Sequence, residues 1–286
     1  MKKKLDNLIP DISEMLSSLN EGKALDISEE LIEEFGENIK NVIREWSIPK
    51  EKSTTVSLRM SNIGRPPRQL WYDIKSEQEP LPLSPWTFLR FLSGHVWEEM
   101  ALLLVKAAGH SVDSQQKEVS VLGIKGHLDC KIDGEVVDVK TASNFSFKKF
   151  STGTLVDDDP FGYMAQLSGY EEAEKTGKGG FLAINKDSCE MTLFRPMDLE
   201  KPDIKRRIRK IKKSLKVDRP PDKCYTSIPD GKSGNMKLPS PCVYCRHKNT
   251  CHSDSNQGKG LRVFKYASKL VYFTNVVKEP RVPEVT

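Results

Sequence analysis

Apolar residues recur at helical spacing through the first 48 positions. Leu5, Leu8, Ile9, Ile12, Met15 and Leu16 form one stripe, and Leu31, Phe35, Ile39, Val42 and Ile43 a second. Recurrence at i, i+3 and i+4 predicts amphipathic helices, and residues 1–60 read as an N-terminal helical region or arm. A proline-containing stretch follows, through Pro66 and Pro67 to Pro80, Pro82 and Pro85, and it includes the polar-aromatic patch RQLWYD at Arg68 to Asp73. Ser84-Pro85 then opens a long helix that runs to Ala108 and is closed by Gly109, with proline in the first turn, where no N–H is needed. Three β-like segments come next, Glu118–Leu122, Ile124–Ile132 and Glu135–Lys140. The last two are separated by Asp133-Gly134, a strong two-residue hairpin signal. Asp159-Pro160 caps a helix from Phe161 to Glu174. Strands at Gly180–Asn185 and Glu190–Arg195, a basic helix from Pro202 to Leu215 and an extended tail at Arg262–Val277 complete the pattern. The order predicts an α/β protein with a central mixed β-sheet flanked by helices.

Composition narrows the class of function. The chain has 286 residues, 37% hydrophobic and 30% charged, enough for one sizeable core or for one core with a smaller appendage. Mean hydropathy is −0.52, and no apolar run approaches the roughly 18 residues of a membrane helix. The start, MKKKLDNLIPDISEML, lacks the continuous apolar stretch and small-residue cleavage site of a signal peptide. These features predict a cytoplasmic protein with no membrane partner. Net charge is only +5, but nine Lys/Arg stand against the single Asp203 between Lys201 and Lys216. Such a concentration permits a nucleic-acid partner.

The segment GHLDCKIDGEVVDVK carries the candidate chemistry. Asp138 and Lys140 are two apart on one strand and project to the same face. Pairing around Asp133-Gly134 can bring Asp129 to the same edge. Two adjacent acids raise each other's pKa unless a cation lies between them, and hard oxygen ligands of this kind suit Mg²⁺ or Mn²⁺. Lys140 beside them can orient or deprotonate a water for attack on a phosphodiester, while the metal stabilises charge growing on phosphate and leaving oxygen. Val136, Val137 and Val139 place this strand inside a domain, where charged groups are expensive and usually functional. His127 shares the face of Asp129 and suits a structural or supporting role.

With Gln166-Leu-Ser-Gly-Tyr170 on the following helix, GHLD followed by DVK resembles the RecB-like branch of the PD-(D/E)XK nucleases, which carries a Q-x-x-x-Y helix after the lysine. G-H-x-x-E at Gly94, His95 and Glu98 resembles the first motif of that branch. SNIGRPPRQLWYD resembles a segment that usually reads S-x-x-G-x-C-x-R-x-x-x-Y. The resemblance covers roughly Ser61 to Cys251. It implies a restriction-endonuclease-like core over 61–220, in which Asp129, Asp138 and the backbone carbonyl of Val139 hold the metal and Lys140 positions the water. It further implies that Glu98 holds a metal-bound water, that His95 ligates metal or touches phosphate, and that Gln166 and Tyr170, one turn apart, bind phosphate or the terminal base.

Cysteines set the remaining expectation. Cys130 and Cys189 stand alone, while Cys224, Cys242, Cys245 and Cys251 fall within 28 positions. In a cytoplasmic chain such grouping points to a metal or Fe–S site more than to disulfides, so residues 221–286 read as a Cys-rich metal-binding segment. Cys242-x₂-Cys245-x₅-Cys251 repeats the C-terminal triplet of Fe–S members of the branch. Their upstream fourth cysteine is replaced here by Pro66, and Cys224 is the substitute. A [4Fe-4S] cluster, Zn²⁺ and a metal-free segment all remain open.

The helix near 202–215 has an apolar stripe of Ile204, Ile208, Ile211 and Leu215 and a cationic remainder. Arg206, Arg207 and Lys210, with Arg68, are candidate DNA-phosphate contacts. Phe145, Phe147, Lys148, Lys149 and Phe150 follow the catalytic strand and suit either stacking on a DNA end or core packing. The expected function is a metal-dependent DNA exonuclease serving recombination, repair or DNA degradation. RecB-like enzymes of this compact size resemble those of bacteriophages, which would place the protein in a host cytoplasm. A structure-specific endonuclease and a non-catalytic DNA-binding recombination subunit are the alternatives. A recombination partner protein or a homo-oligomer is compatible with each.

Overall fold

Valine-rich Glu135–Ala142 lies at the centre of a five-stranded sheet, and the rest of its unit is arranged around it. The structure is a computed structural model describing residues 3–49, 56–75, 84–267 and 269–285. Pro80 and Pro82 lie outside the described residues. In chain order the elements are α1 (Leu8–Ser17), α2 (Glu29–Ser47), α3 (Pro67–Lys75), α4 (Pro85–Ala107), β1 (Val112–Asp113), β2 (Lys117–Val121), β3 (Ile124–Leu128), β4 (Cys130–Ile132) and β5 (Glu135–Ala142). They continue with α5 (Asn144–Ser151), α6 (Tyr163–Ala173), β6 (Gly179–Asn185), β7 (Met191–Phe194), α7 (Ile204–Ser214), β8 (Ile228–Pro229) and β9 (Met236–Lys237). The last are α8 (Ser240–Val243), α9 (Lys248–Cys251), β10 (Arg262–Tyr266) and β11 (Lys269–Asn275).

The chain divides into two compact units, one of residues 1–64 and 78–209, the other of 65–77 and 210–286. This differs from a sequential split at 60 and 220. The RQLWYD segment, expected within the 61–220 core, belongs to the second unit. The N-terminal stretch, expected as an arm, supplies core: Leu5, Leu8 and Ile12 are buried in one cluster with Leu102 and Val105 of α4 and with sheet residues Val137, Val139, Leu182 and Ile184.

In the first unit the sheet order is β1-β4-β5-β6-β7. Only β5 and β6 run parallel; the other neighbours are antiparallel. Alternation along β5 and β6 gives one face to α1 and α4. The opposite face carries Phe181, which meets Phe150 of α5, Tyr163 of α6 and Phe194 of β7 at centroid distances of 5.6, 6.3 and 6.2 Å. The fold is a mixed sheet flanked by helices. No helix among the described residues is long and apolar enough to cross a membrane.

The β4–β5 hairpin turns at Asp133 and Gly134, whose φ values of 53° and 87° are those of the primed two-residue turn. The run Ile124–Ile132, expected as one strand, is two. β3 leaves the main sheet to pair with β2 in a separate ribbon, β4 pairs with β5, and Asp129 is the residue between them. Met60 locks that ribbon to α6: a Cβ on Gly126 would lie 2.4 Å from Met60, and one on Gly169 would lie 2.1 Å from its sulfur. In the second unit, β10-β11-β9-β8 form a sheet, so the extended tail is a hairpin.

Helix α6 begins where two glycine backbones touch. Gly162 has φ +77°, and a Cβ there would lie 2.2 Å from the Cα of Gly64. Asp159 finishes this helix start by accepting hydrogen bonds from the N–H groups of Gly162, Tyr163 and Met164 at 2.8–2.9 Å. Gly162→Ala therefore meets both a left-handed backbone penalty and a clash. Thermal unfolding should report a loss of about 2 kcal/mol or more.

Candidate active site

The break at Asp129 builds the site. Pairing of β4 with β5 ends at Cys130↔Val137, which leaves the next inward N–H of β5 without a strand partner. Asp129 supplies it, Oδ2 accepting from the Val139 N–H at 2.9 Å. In an extended strand the carbonyl of a residue leaves from the same edge as its N–H, so the Val139 carbonyl borders the same position.

Asp138, one residue before, is fully buried. Its Oδ2 lies 2.5 Å from Lys140 Nζ, and its Oδ1 has no hydrogen-bond partner among the described residues. Burial raises the Asp138 carboxyl above its ordinary range, Lys140 opposes this, and Glu98 adds to it. Asp129 is raised well above 3.8, first by burial and then by Asp138, with Glu98 contributing. Lys140 has a side chain only 18% exposed. Burial opposes its charge, but Asp138 and Asp129 prevail and hold the ammonium above its ordinary value. It is a stable cation here, suited to donating hydrogen bonds.

Of the two adjacent acids on α4, Glu98 acts on the pair, while Glu99 accepts from Asn38 of α2 at 2.9 Å. Gln116 holds Glu98 through a 2.9 Å bond. His95 is 60% exposed and 3.8 Å from Glu98. Gln166 and Tyr170 are both buried, and Gln166 Nε2 donates to the Tyr170 hydroxyl at 3.2 Å. The Tyr170 phenol is raised by burial and by the charge of Asp138, so this pair lies within the field of the acids. His127 is exposed on β3 opposite Glu118.

Tyr163 and Gln116 were not anticipated. Lys140 Nζ sits 5.1 Å from the centre of the Tyr163 ring, an attraction of cation and π-face. The signal was present, since Tyr163, Gln166 and Tyr170 stand at i, i+3 and i+7 of one helix. Nothing in the spacing points to Gln116. The aromatic loop residues divide: Phe147 and Phe150 are core, and Phe145 is 73% exposed with Lys149 over its ring.

The candidate DNA contacts also divide. Arg207 donates to the carbonyls of Ile63 and Gly64 at 2.6 and 2.7 Å. Arg68 donates to Cys251 Sγ at 3.1 Å, to the Tyr72 hydroxyl at 3.3 Å and to the Pro221 carbonyl. Arg206 and Lys210 are exposed on α7.

In the second unit the Cys242 thiol is pushed up to about 12 by burial and by Cys245, Cys251 and Cys224. The backbone N–H groups of Gln69 and Arg68 at the start of α3 hydrogen-bond Cys224 and oppose its rise. That contact puts Cys224 beside the first turn of α3.

No family model and no curated protein matches the chain. Among solved structures, one described as "Crystal structure of SSO0001" aligns with a TM-score of 0.38 at 18% identity, covering 76% of this chain and 94% of that one. A likeness of that size carries no functional argument.

Among the described residues no three His, Cys, Asp or Glu side chains converge closely enough to hold a metal ion as they stand. The donor chemistry nevertheless fits. The buried Asp138 oxygen without a partner and the mutual repulsion of Asp129 and Asp138 suit a hard divalent cation. The thiols of Cys224, Cys242 and Cys245, raised first by burial and then by neighbouring cysteines, suit a cation that releases their protons.

Two outcomes follow from these charges. Asp129 has its folded-state pKa raised, so the folded carboxyl retains its proton where the unfolded one has lost it. Stability therefore falls as pH rises from 3.8 through the folded value. Asn at 129 still accepts from Val139 and removes the repulsion, so metal-free Asp129→Asn should melt about 2–4 °C higher at neutral pH. Mn²⁺ should raise the melting temperature of the wild type more than that of the variant. For the cysteines, elemental analysis of protein purified without oxygen should find iron or zinc, reduced at least severalfold by Cys224→Ser.

Proposed function

We propose that this protein is a divalent-metal-dependent deoxyribonuclease with a PD-(D/E)XK core of the RecB-like type, acting as an exonuclease at DNA ends. The observation that carries the reading is Asp138: a fully buried carboxylate with one oxygen unpartnered among the described residues, beside Asp129 and tied to Lys140. Burying such a group is costly, and neither β-pairing nor core packing needs it.

In this reading Asp129, Asp138 and the Val139 carbonyl hold Mg²⁺ or Mn²⁺. When bound, that ion neutralises charge on the phosphate and on the leaving oxygen. Lys140 donates to the attacking water and fixes its line of approach. Tyr163 limits the directions the ammonium can take. Glu98, held by Gln116, orients a water at the edge of the acidic pair. Gln166 and Tyr170 form a polar wall for the phosphate or the last base. Arg206 and Lys210, both exposed, contact phosphates, whereas Arg207 and Arg68 are occupied within the protein. The cysteine group serves as a structural Fe–S or zinc site.

The test is cleavage of linear and closed circular DNA with Mg²⁺ or Mn²⁺. Linear DNA should be degraded from its ends and circles spared; equal rates would exclude the exonuclease reading. Lys140→Ala should lower the rate by at least about 10²–10³-fold, as loss of a positioned charge does at other active sites, with DNA binding retained. Normal cleavage by that variant would overturn the mechanism.

A further inference from the structure

A concavity opens beside Lys140, at the carboxyl ends of β5 and β6. These are the parallel pair of the sheet, and in open α/β sheets ligands settle in the crevice beyond the carboxyl ends. The cavity is about 220 Å³, and Lys140 forms part of its wall. Lys186 enters it just past the end of β6, Ser143 and Ser146 from the start of α5, and Phe161 and Tyr163 from the facing loop and helix.

Its charges are unequally compensated. Lys140 is paired with Asp138, and Lys149 with Asp158. The carboxylate of Asp159 is taken up by three backbone N–H groups. Lys186 is exposed and has no acidic partner among the described residues. Ser143 precedes α5 but does not cap it with its side chain. Phe161 is 59% exposed and stacks on Tyr163 at 5.5 Å, which leaves its outer face open to a planar group.

We propose that this cavity receives the terminal phosphate of a DNA strand, with Lys186 and the serine hydroxyls on the phosphate and the adjoining base on Phe161. The volume lies below the roughly 300–1,000 Å³ that takes a drug-sized ligand. It suits one phosphate and sugar, the end of a chain more than a strand passing through. The assignment rests on the nuclease reading of Asp129, Asp138 and Lys140 and deepens it, naming a phosphorylated DNA end as the substrate class.

Either a 5′- or a 3′-phosphate presents this chemistry, and oligonucleotides bearing phosphate or hydroxyl at each end tell them apart. Binding is measured on the full chain with Ca²⁺ in place of Mg²⁺. One phosphorylated end should bind at least about tenfold tighter than its hydroxyl counterpart, as hydrogen bonds to a charged group allow. That preference should vanish in Lys186→Ala and return in part in Lys186→Arg. Phe161→Ala should weaken binding of both ends about fivefold or more. Equal binding of phosphate and hydroxyl ends, or a preference that survives Lys186→Ala, overturns the proposal. Cleavage of the same oligonucleotides with Mg²⁺ or Mn²⁺ is scored separately. An end preference without cleavage removes the nuclease reading and keeps the cavity assignment. Cleavage with no end preference keeps the nuclease and removes the cavity assignment.

Discussion

The hydrogen bond from the Val139 N–H to the Asp129 carboxylate decides the shape of the candidate site. A buried backbone N–H must have a partner, and the usual partner at this point would be a further residue of β4. A side chain fills that role instead. Because it does, β4 stops at Cys130, β3 departs to pair with β2, and the edge of β5 stays uncovered beside Asp138. A continued ladder would satisfy the backbone equally well and would close the edge. The carboxylate does two things at once: it ends the pairing of two strands and places a charge where the pairing ends.

That arrangement is expensive, and the cost is local. Asp138 and Asp129 are both raised by burial, and the positive charge of Lys140 offsets this only in part. Proteins are marginally stable, so a buried Asp138 beside a half-buried Asp129 must be offset by packing elsewhere in the unit. The α1 and α4 face provides it, where Leu5, Leu8, Ile12, Leu102 and Val105 meet the apolar side of the same strands. One face of β5 is packed against helices and the other carries the Asp138–Lys140 pair, as the period-two alternation of a strand permits.

Much of this could be read along the chain, and what escaped did so for definable reasons. The Asp133-Gly134 turn, the shared face of Asp138 and Lys140 and the shared turn of Gln166 and Tyr170 are consequences of local geometry. Helix boundaries followed from Pro85, Gly109 and Asp159. The break at Asp129 did not, because Ile124–Ile132 alternates well enough to read as one strand, and only long-range pairing splits it. The transfer of residues 65–77 to the second unit was hidden for the same reason. Arg207 looked available on a cationic helix face, yet the carbonyls of Ile63 and Gly64, more than 140 positions earlier, take its guanidinium. Sequence patterns specify which groups are charged, but not which of them the fold has already engaged.

Met60 joins two walls that are far apart in sequence. Its side chain fills the space left by two missing Cβ atoms, one at Gly126 on the strand that leads to Asp129 and the other at Gly169 beside Tyr170. The three positions therefore behave as a single steric unit. In relatives that keep this geometry, a methyl group gained at 126 or 169 should be matched by a smaller residue at 60, and a glycine at both should accompany a long, unbranched one. Covariation among these three positions, none of them charged, would mark the site as surely as its acids.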